Sequence, residues 1–171
     1  MIYIGISRGS KGTIGIIKEN GDIDFVRVPI RYTKKGNYPR LNYRRLKEIL
    51  EPYAATTINE VQKKMNAKAL VEKPSPGKSK NISATFLVQN CIFEAQLAVL
   101  ECLGISYETV EASQWHHDLF TGKLTKLSPK QASLEWGNEV FPELRQAKPT
   151  DRDGICIAYY IQNIKDYQKR K

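Results

Sequence analysis

Apolar and polar residues alternate at the start of the chain. Isoleucine recurs at every second position over residues 1–7, a period typical of a strand. A second apolar run covers 13–18, and the pair Asn20 and Gly21 is a strong signal for a hairpin turn. Alternation then returns over 23–30. The pattern predicts three consecutive strands joined by tight turns, which is an antiparallel meander.

The middle of the chain mixes the two periods. Apolar residues recur at helical spacing over 41–53 and again over 83–103. Between these two predicted helices, the apolar run 67–71 predicts a short buried strand that ends at the carboxylate of Glu72. A further strand is predicted over 105–110, directly after the long helix.

The last third of the chain reads as helical. Ser128 is a typical N-cap and Pro129 suits the first helical position, so a helix is predicted from there to about 141–142. A final helix is predicted from 149 to about 167. The order of elements predicts an α/β fold: a mixed sheet of about five strands, made of the meander and then parallel strands, flanked by helices. We expect a single domain over 1–171, with a basic tail from about residue 165.

The long predicted helix is apolar on two faces. One stripe contains Val88, Cys91, Ile92, Ala95, Val99 and Cys102, and the other contains Phe86, Phe93, Leu97 and Leu100. One stripe covers the sheet. The other needs a neighbouring helix of the same chain or a second subunit, and the pattern leaves both open.

Composition excludes several classes of protein. The chain of 171 residues is 41% hydrophobic and 26% charged, which is ordinary for a globular protein. No run approaches the ~18 apolar residues of a membrane span, so no membrane partner is expected. The start of the sequence does not resemble a secretory signal, and the odd number of cysteines argues against a disulfide framework. We expect reduced, buried thiols and a cytoplasmic protein, either nucleoid-associated or viral, with an organellar location left open.

The net charge of +9 indicates a polyanionic partner, with nucleic acid first. The segment 28–47 contains no acidic residue, and its tyrosines are interleaved with basic residues, a combination suited to phosphate contact and base stacking. The candidate DNA-binding residues are Arg8, Lys11, Arg31, Lys34, Lys35, Arg40, Arg44, Arg45, Lys73, Lys78 and Lys80.

Three carboxylates stand at positions that suit metal chemistry. Glu72 ends a predicted strand, and Asp151 and Asp153 stand at the start of a predicted helix. Two-metal phosphodiester cleavage needs several carboxylates that converge on one point. For Asp151 alone, helix capping is the simpler explanation. Glu72 is harder to explain structurally, because a carboxylate that ends a buried strand is costly without a partner.

The sequence resembles the RuvC-type Holliday junction resolvases. The motifs that carry this resemblance are IGISRGSKGTIGII at the start of the chain, ALVEKP ending at Pro74, the residues Gly104, Val110, Trp115 and Lys130, the pair Phe141 and Pro142, and DGICIA from Asp153. Each motif is weak alone, but they follow in the family's order over nearly the whole chain.

The resemblance implies an RNase H-like fold and the activity of a structure-selective endonuclease. Such an enzyme, usually a homodimer, introduces paired nicks into four-way DNA junctions with Mg²⁺ or Mn²⁺. By the resemblance, Glu72 and Asp153 would hold the metal ions, joined by Asp151, which is close to the family's paired acid but out of register. Lys130 would contact the scissile phosphate or offset charge in the transition state. We expect the homodimer to form through the helix over 83–104.

The chain departs from the family at the most important position. Ser7 stands where the family has its first catalytic aspartate, and Arg8 replaces the proline that follows it. Thr150 stands where the family has a paired acid. Only Glu72 and Asp153 align cleanly with the family's acidic residues.

Three explanations of Ser7 stay open. It is an engineered substitution, or the chain is a divergent nuclease that uses Asp151, Asp22 or Asp24 instead, or it is a degenerate member that binds branched DNA without cutting it. The sequence therefore predicts a junction-resolving endonuclease, with a non-catalytic branched-DNA-binding protein on the same fold as the alternative.

Overall fold

The structure is a computed structural model that describes residues 1–33, 38–54, 56–58, 61–63, 67–76, 83–121, 127–149 and 151–165. Its strands are β1 (Ile2–Ile6), β2 (Thr13–Ile17), β3 (Ile23–Arg27), β4 (Ile30–Tyr32), β5 (Pro39–Leu41), β6 (Thr56–Ile58), β7 (Val61–Lys63), β8 (Ala67–Glu72) and β9 (Ser106–Val110). Its α-helices are α1 (Tyr43–Leu50), α2 (Ala84–Cys102), α3 (Ala112–Phe120), α4 (Pro129–Val140) and α5 (Asp153–Tyr160).

A five-stranded mixed sheet forms the centre of the fold. Its strand order is β3-β2-β1-β8-β9; β1, β2 and β3 are antiparallel neighbours, and β8 and β9 run parallel to β1. Two short hairpins, β4–β5 and β6–β7, stand outside this sheet. The predicted fold, a three-strand meander followed by parallel strands and flanked by helices, is confirmed.

The alternation seen in the sequence sorts the side chains onto the two faces of the sheet. Ile4 and Ile6 of β1 belong to the core that contains residues of α1 and α2. Tyr3, on the opposite face, packs with Cys156 and Ile157 of α5. The sheet is therefore covered by helices on both sides, because successive residues of a strand point to opposite faces.

Helix α5 lies directly on the backbone of β1 and β2. Gly5 and Gly15 face each other across these strands, and a Cβ at either position would overlap the backbone of α5. A Cβ at Gly154 would lie 2.5 Å from the carbonyl oxygen of Thr13. Only glycine fits such a contact, so these positions fix how close the start of α5 comes to the first hairpin.

The turn before α5 is built around a buried arginine. The guanidinium group of Arg152 donates hydrogen bonds to the carbonyl oxygens of Pro149 and Leu144 and, from Nε, to Asn138 Oδ1 at 3.0 Å. Gly137 of α4 makes room for it, since a Cβ there would lie 2.8 Å from Arg152 Cβ. The side chain thus ties the start of α5 to the end of α4.

Several predicted boundaries are correct. Ser83 caps α2 by accepting a hydrogen bond from the backbone N–H of Phe86, at 3.1 Å. Ser128 and Gln131 form a capping box at the start of α4, with Pro129 as its first residue. Strand β8 ends at Glu72, as expected. These signals are local, so the sequence displays them directly.

Other predictions about the elements are wrong. The last helix begins at Asp153, not at 149, because the preceding residues wrap around Arg152 rather than forming helical hydrogen bonds. Its α-helical part ends at Tyr160, and a π-helical turn follows over Ile161–Lys165. Helix α3 and the two short hairpins were not predicted, since three-residue strands are too short to show alternation and α3 buries only Trp115 and Phe120.

The two apolar stripes of α2 are not equally covered. Leu100 of the second stripe is buried, and Phe93 and Leu97 pack against the core. In the first stripe, Cys91 and Cys102 are exposed, so the expectation of buried thiols holds only for Cys156. No helix among the described residues is long and apolar enough to span a membrane. The predicted basic tail lies almost wholly beyond the described residues.

We expect Gly15→Ala to lower the free energy of unfolding by about 2–3 kcal/mol, because the new Cβ would push α5 away from the sheet. Chemical denaturation measures the loss. Gly21→Asn is the matched control: a Cβ there meets nothing within 4 Å, and Asn tolerates its positive φ. Equal stability of Gly15→Ala and the parent would contradict the close contact of α5 with the strand.

Candidate functional site

A cleft opens where β1 and β8 end beside the start of α5. Because β1 and β8 are parallel and Ile6 pairs with Val71, the residues that follow β1 lie beside Glu72. The cleft has a volume of about 420 Å³. Its ionisable lining consists of the carboxylates Glu72, Asp151 and Asp153, the cations Arg8, Lys11 and Lys130, and the imidazole of His116.

Glu72 is the most buried carboxylate of the cleft, with only 2% of its surface exposed. Its Oε2 accepts a hydrogen bond from the backbone N–H of Arg8 at 3.2 Å, and its Oε1 lies 3.4 Å from Arg8 Nε. Burial raises the pKa of Glu72 to about 7, against the opposing effect of the Arg8 charge. Arg8 therefore contacts both oxygens of the carboxylate.

Asp151 is held from three sides. Its Oδ2 accepts a hydrogen bond from Lys130 Nζ at 2.8 Å. Its Oδ1 accepts the backbone N–H of Asp153 at 2.9 Å and lies 3.3 Å from the hydroxyl of Thr13. The hydrogen bond to Asp151 raises the pKa of Lys130, so this ion pair persists at neutral pH.

Asp153 is the first residue of α5 and faces the same cleft. Burial raises its pKa to about 6, and the nearby charge of Asp151 adds to the effect. The close contact of α5 with β2 brings this carboxyl group to the end of the sheet where β8 finishes at Glu72. The sequence prediction that Glu72, Asp151 and Asp153 face one site agrees with this placement, although Asp151 stands before the helix rather than within it.

Ser7 is not among the residues that line the cleft. It is 1% exposed, and its Oγ accepts a hydrogen bond from the backbone N–H of Thr13 at 2.7 Å. The hydroxyl thus closes the first hairpin.

Thr13 is a positioning residue that sequence reasoning missed. Its Oγ1 accepts the backbone N–H of Gly154 at 2.9 Å and reaches Asp151. It links the hairpin of Ser7 to the start of α5. The available signal was a hydroxyl residue at the start of an otherwise apolar run.

His116 reaches the cleft from α3, a helix that was not predicted. Its ring centroid lies 4.0 Å from that of Trp115 and 5.7 Å from that of Phe120. Burial and the charge of Arg8 lower the pKa of His116 to about 4, so its ring is neutral at physiological pH. His117 is exposed, and only His116 lines the cleft.

Solved structures of Thermus thermophilus RuvC are similar to this chain over nearly its full length. A structure of Thermus thermophilus RuvC matches with a TM-score of 0.55 and 14% identity, covering 95% of this chain and 96% of the other. A second, of the same protein in complex with a Holliday junction substrate, matches with a TM-score of 0.56 and 12% identity, covering 95% of both chains.

This chain has a RuvC-like RNase H fold. No family model matches the sequence, and no curated protein matches it. At 12–14% identity the likeness establishes the fold alone.

A RuvC-like fold raises the question of divalent metal ions, and the side chains of this cleft do not fit a two-metal centre. The hydroxyl of Ser7 is turned into the hairpin, Glu72 faces Arg8 and Asp151 faces Lys130. Among the described residues, no three His, Cys, Asp or Glu side chains are arranged to hold a metal ion. The three carboxylates expected to hold Mg²⁺ or Mn²⁺ line the cleft, but two of them are already paired with cations.

The two alternative carboxylates of the hairpin lie elsewhere. Asp24 forms an ion pair with Lys18 at 2.8 Å and accepts a hydrogen bond from Tyr53, while Asp22 contacts Asn20. Neither lines the cleft of the RuvC-like fold. The option that Asp22 or Asp24 replaces the missing aspartate is therefore not supported.

The other described candidate DNA-binding residues do not line the cleft. Arg31 and Arg40 face each other across β4 and β5, and Arg31 lies over the ring of Tyr43 at 5.7 Å. Arg44 and Arg45 stand on α1, and Lys73 is paired with Glu111 at 3.4 Å. Four of the predicted lysines lie outside the described residues: Lys34, Lys35, Lys78 and Lys80. Thr150 lies outside them as well.

The raised pKa of Glu72 predicts a pH-dependent stability. Between about pH 4.5 and 7 the folded protein binds more protons than the unfolded chain, so its stability falls as pH rises through this window. We expect the free energy of unfolding of Glu72→Gln to be higher than that of the parent by about 1–3 kcal/mol at pH 8 and equal to it at pH 4. Thermal melts at both values measure this.

Asp24→Asn is the control of opposite sign. Partial burial raises the pKa of Asp24, but the hydrogen bonds from Lys18 and Tyr53 outweigh it and lower the pKa overall. This variant should lose stability relative to the parent at pH 8 and match it at pH 2. The same pH profile for Glu72→Gln and the parent would contradict the buried, raised carboxyl.

Proposed function

We propose that this chain binds four-way or otherwise branched DNA, with a backbone phosphate in the cleft at the end of β1 and β8. The RuvC-like fold supports this, and one of the similar structures holds a Holliday junction substrate. The net charge of +9 supports a polyanionic partner.

The observation that carries the proposal is the pairing of the cleft carboxylates with the chain's own cations. Arg8 contacts Glu72, and Lys130 contacts Asp151. With Lys11, the lining holds as many cations as carboxylates. A phosphate that approaches this cleft therefore meets no net negative charge. Three uncompensated carboxylates would instead repel it.

A basic and aromatic surface beside α2 supports contact with the arms of a junction. The rings of three tyrosines are exposed there: Tyr32 by 62%, Tyr38 by 59% and Tyr43 by 58%. Arg31 and Arg40 lie among them on β4 and β5. Guanidinium groups interleaved with exposed rings suit phosphate contact together with stacking on bases or sugars.

The proposal includes a homodimer through the helix over 83–104. Leu87 on this helix is 55% exposed, and Cys91 and Cys102 of the same helix are exposed as well. A symmetric pair of subunits would present two clefts to the two symmetric halves of a four-way junction.

Metal-dependent cleavage of the junction is the second candidate function. It is favoured by the convergence of Glu72, Asp151 and Asp153 on one cleft, with Lys130 beside them. Mg²⁺ or Mn²⁺ would supply the electrophilic chemistry in that case. Arg8 and Lys130 would first have to leave the carboxylates they contact.

A labelled four-way junction and a linear duplex of matched sequence test both functions. We expect the junction to bind at least about tenfold more tightly, with an affinity that falls steeply as salt rises. We expect no nicking with Mg²⁺, Mn²⁺ or chelator. A flat salt response would contradict DNA binding, and metal-dependent nicking that Glu72→Gln abolishes would establish the second candidate.

Arg40→Ala tests the surface beside α2. We expect it to weaken binding to every junction about equally and to reduce the magnitude of the log–log salt slope by about 1, because one phosphate contact is lost. Lys18→Ala is the matched control, since Lys18 is paired with Asp24 away from this surface. Equal effects of the two variants would indicate only a general loss of charge.

A further inference from the structure

We propose that Arg8 and Lys130 serve this cleft in place of divalent cations, so that a DNA phosphodiester binds the chain's own side chains directly and without a metal ion. This inference rests on the proposed DNA-binding function and specifies its chemistry. It assigns Arg8 as the receptor of the phosphate and Lys130 as a second cation at the mouth of the cleft.

Arg8 lines the cleft and contacts Glu72 before any ligand arrives. Its backbone N–H is bonded to Glu72 Oε2, and its Nε lies against Glu72 Oε1. The backbone contact places Arg8 beside Glu72, and the contact of Nε orients the guanidinium group, whose side chain is 34% exposed, towards the carboxylate. A guanidinium held in this way is preorganised for a planar, two-pronged contact with a phosphate.

The same guanidinium has a donor that the protein does not use. Arg8 Nη1 is buried and has no hydrogen-bond partner among the described residues. A buried N–H without an acceptor is unfavourable, and a phosphate oxygen is the acceptor that a guanidinium prefers. Arg8 lines the cleft, and a shift of its partly exposed side chain would bring Nη1 to a ligand there. A phosphate oxygen would then satisfy this donor, whereas a metal cation has no acceptor to offer.

Lys130 adds a second, more exposed cation. It stands in the first turn of α4, whose start is fixed by the Ser128–Gln131 capping box. Its side chain is 73% exposed, and Nζ donates to Asp151. An ammonium group has three N–H donors, so Nζ can hold Asp151 and a phosphate oxygen together.

The two cations also disfavour a divalent ion. An ion bound to Glu72 would stand next to the Arg8 guanidinium, and one bound to Asp151 would stand next to the Lys130 ammonium. Repulsion at such distances is strong where water is partly excluded. Ser7 offers no compensating negative charge, because it is neutral and its oxygen already accepts from Thr13.

The first test is made on the protein without DNA. Manganese binding is followed by electron paramagnetic resonance in the parent and in the double variant Arg8→Gln, Lys130→Gln. We expect the double variant to bind Mn²⁺ at least about tenfold more tightly, because two repelling charges are gone. Equally tight Mn²⁺ binding by the parent would overturn the inference. Circular dichroism confirms that the double variant is folded.

The second test measures junction affinity with chelator and with Mg²⁺ at matched ionic strength. The junction affinity of the parent should differ by less than about twofold between the two conditions. Arg8→Gln should bind the junction at least about tenfold more weakly than the parent in both conditions, and the affinity of Arg8→Lys should lie between the two. Lys18→Ala is again the charge-matched control. Loss of parent binding in chelator, or normal binding by Arg8→Gln, would overturn the inference.

A neutral methylphosphonate at the branch point identifies the ligand as a phosphate. It should weaken parent binding and add little to the effect of Arg8→Gln, because both changes remove the same contact. Fully additive effects would place Arg8 elsewhere on the DNA. If neither junction nor duplex binds, the proposed function fails and this inference fails with it. If the parent binds the junction but Arg8→Gln binds it equally well, or the parent needs a metal ion to bind, only the inference fails.

Discussion

The backbone-to-backbone contact between α5 and the first two strands determines how the rest of this molecule is arranged. Gly5 and Gly15 leave no side chain between the sheet and the helix, and Gly154 brings the first turn of α5 against Thr13. At this separation the Thr13 hydroxyl accepts the backbone N–H of Gly154. Because Asp151 and Asp153 stand at the same turn, the contact that closes the core also delivers two carboxylates to the end of the sheet, where Glu72 already stands.

Arg152 stabilises the turn that leads into α5, on the other side of this contact between the helix and the sheet. Its guanidinium group satisfies carbonyl oxygens of the turn before α5, and Gly137 makes the room that it needs on α4. The segment that carries Asp151 is therefore fixed between α4 and α5. The ion pair with Lys130 depends on this arrangement, since Lys130 is held by the capped start of α4. A buried arginine thus sets the geometry of a cleft that it does not itself line.

The cleft itself shows how two neighbouring residues change the chemistry of a fold. At position 7 a small hydroxyl is absorbed into the hairpin by its hydrogen bond with Thr13, and at position 8 a guanidinium group turns to Glu72. The negative charge of Glu72, which would otherwise attract a cation from solution, is thus balanced by the positive charge of Arg8. Burial still raises the pKa of Glu72 to about 7, so the charge of Arg8 offsets only part of the cost of burying this carboxylate.

The sequence by itself determined the meander, the strand that ends at Glu72, and the capped starts of α2 and α4, because alternation, N-caps and turn residues act over a few positions. It also indicated that Glu72, Asp151 and Asp153 belong to one site. It did not reveal α3 or the true start of α5, which depend on the buried side chains of Trp115 and Arg152. Nor did it reveal the short hairpins, because three-residue strands are too short to show alternation. Only the tertiary structure decided that Ser7 bonds to Thr13, that Arg8 pairs with Glu72 and that Lys130 pairs with Asp151. The contact of Ser7 with Thr13 forms when β1 pairs with β2. The other two contacts join residues that are far apart in sequence and become neighbours only when β8 pairs with β1 and α5 packs on the sheet.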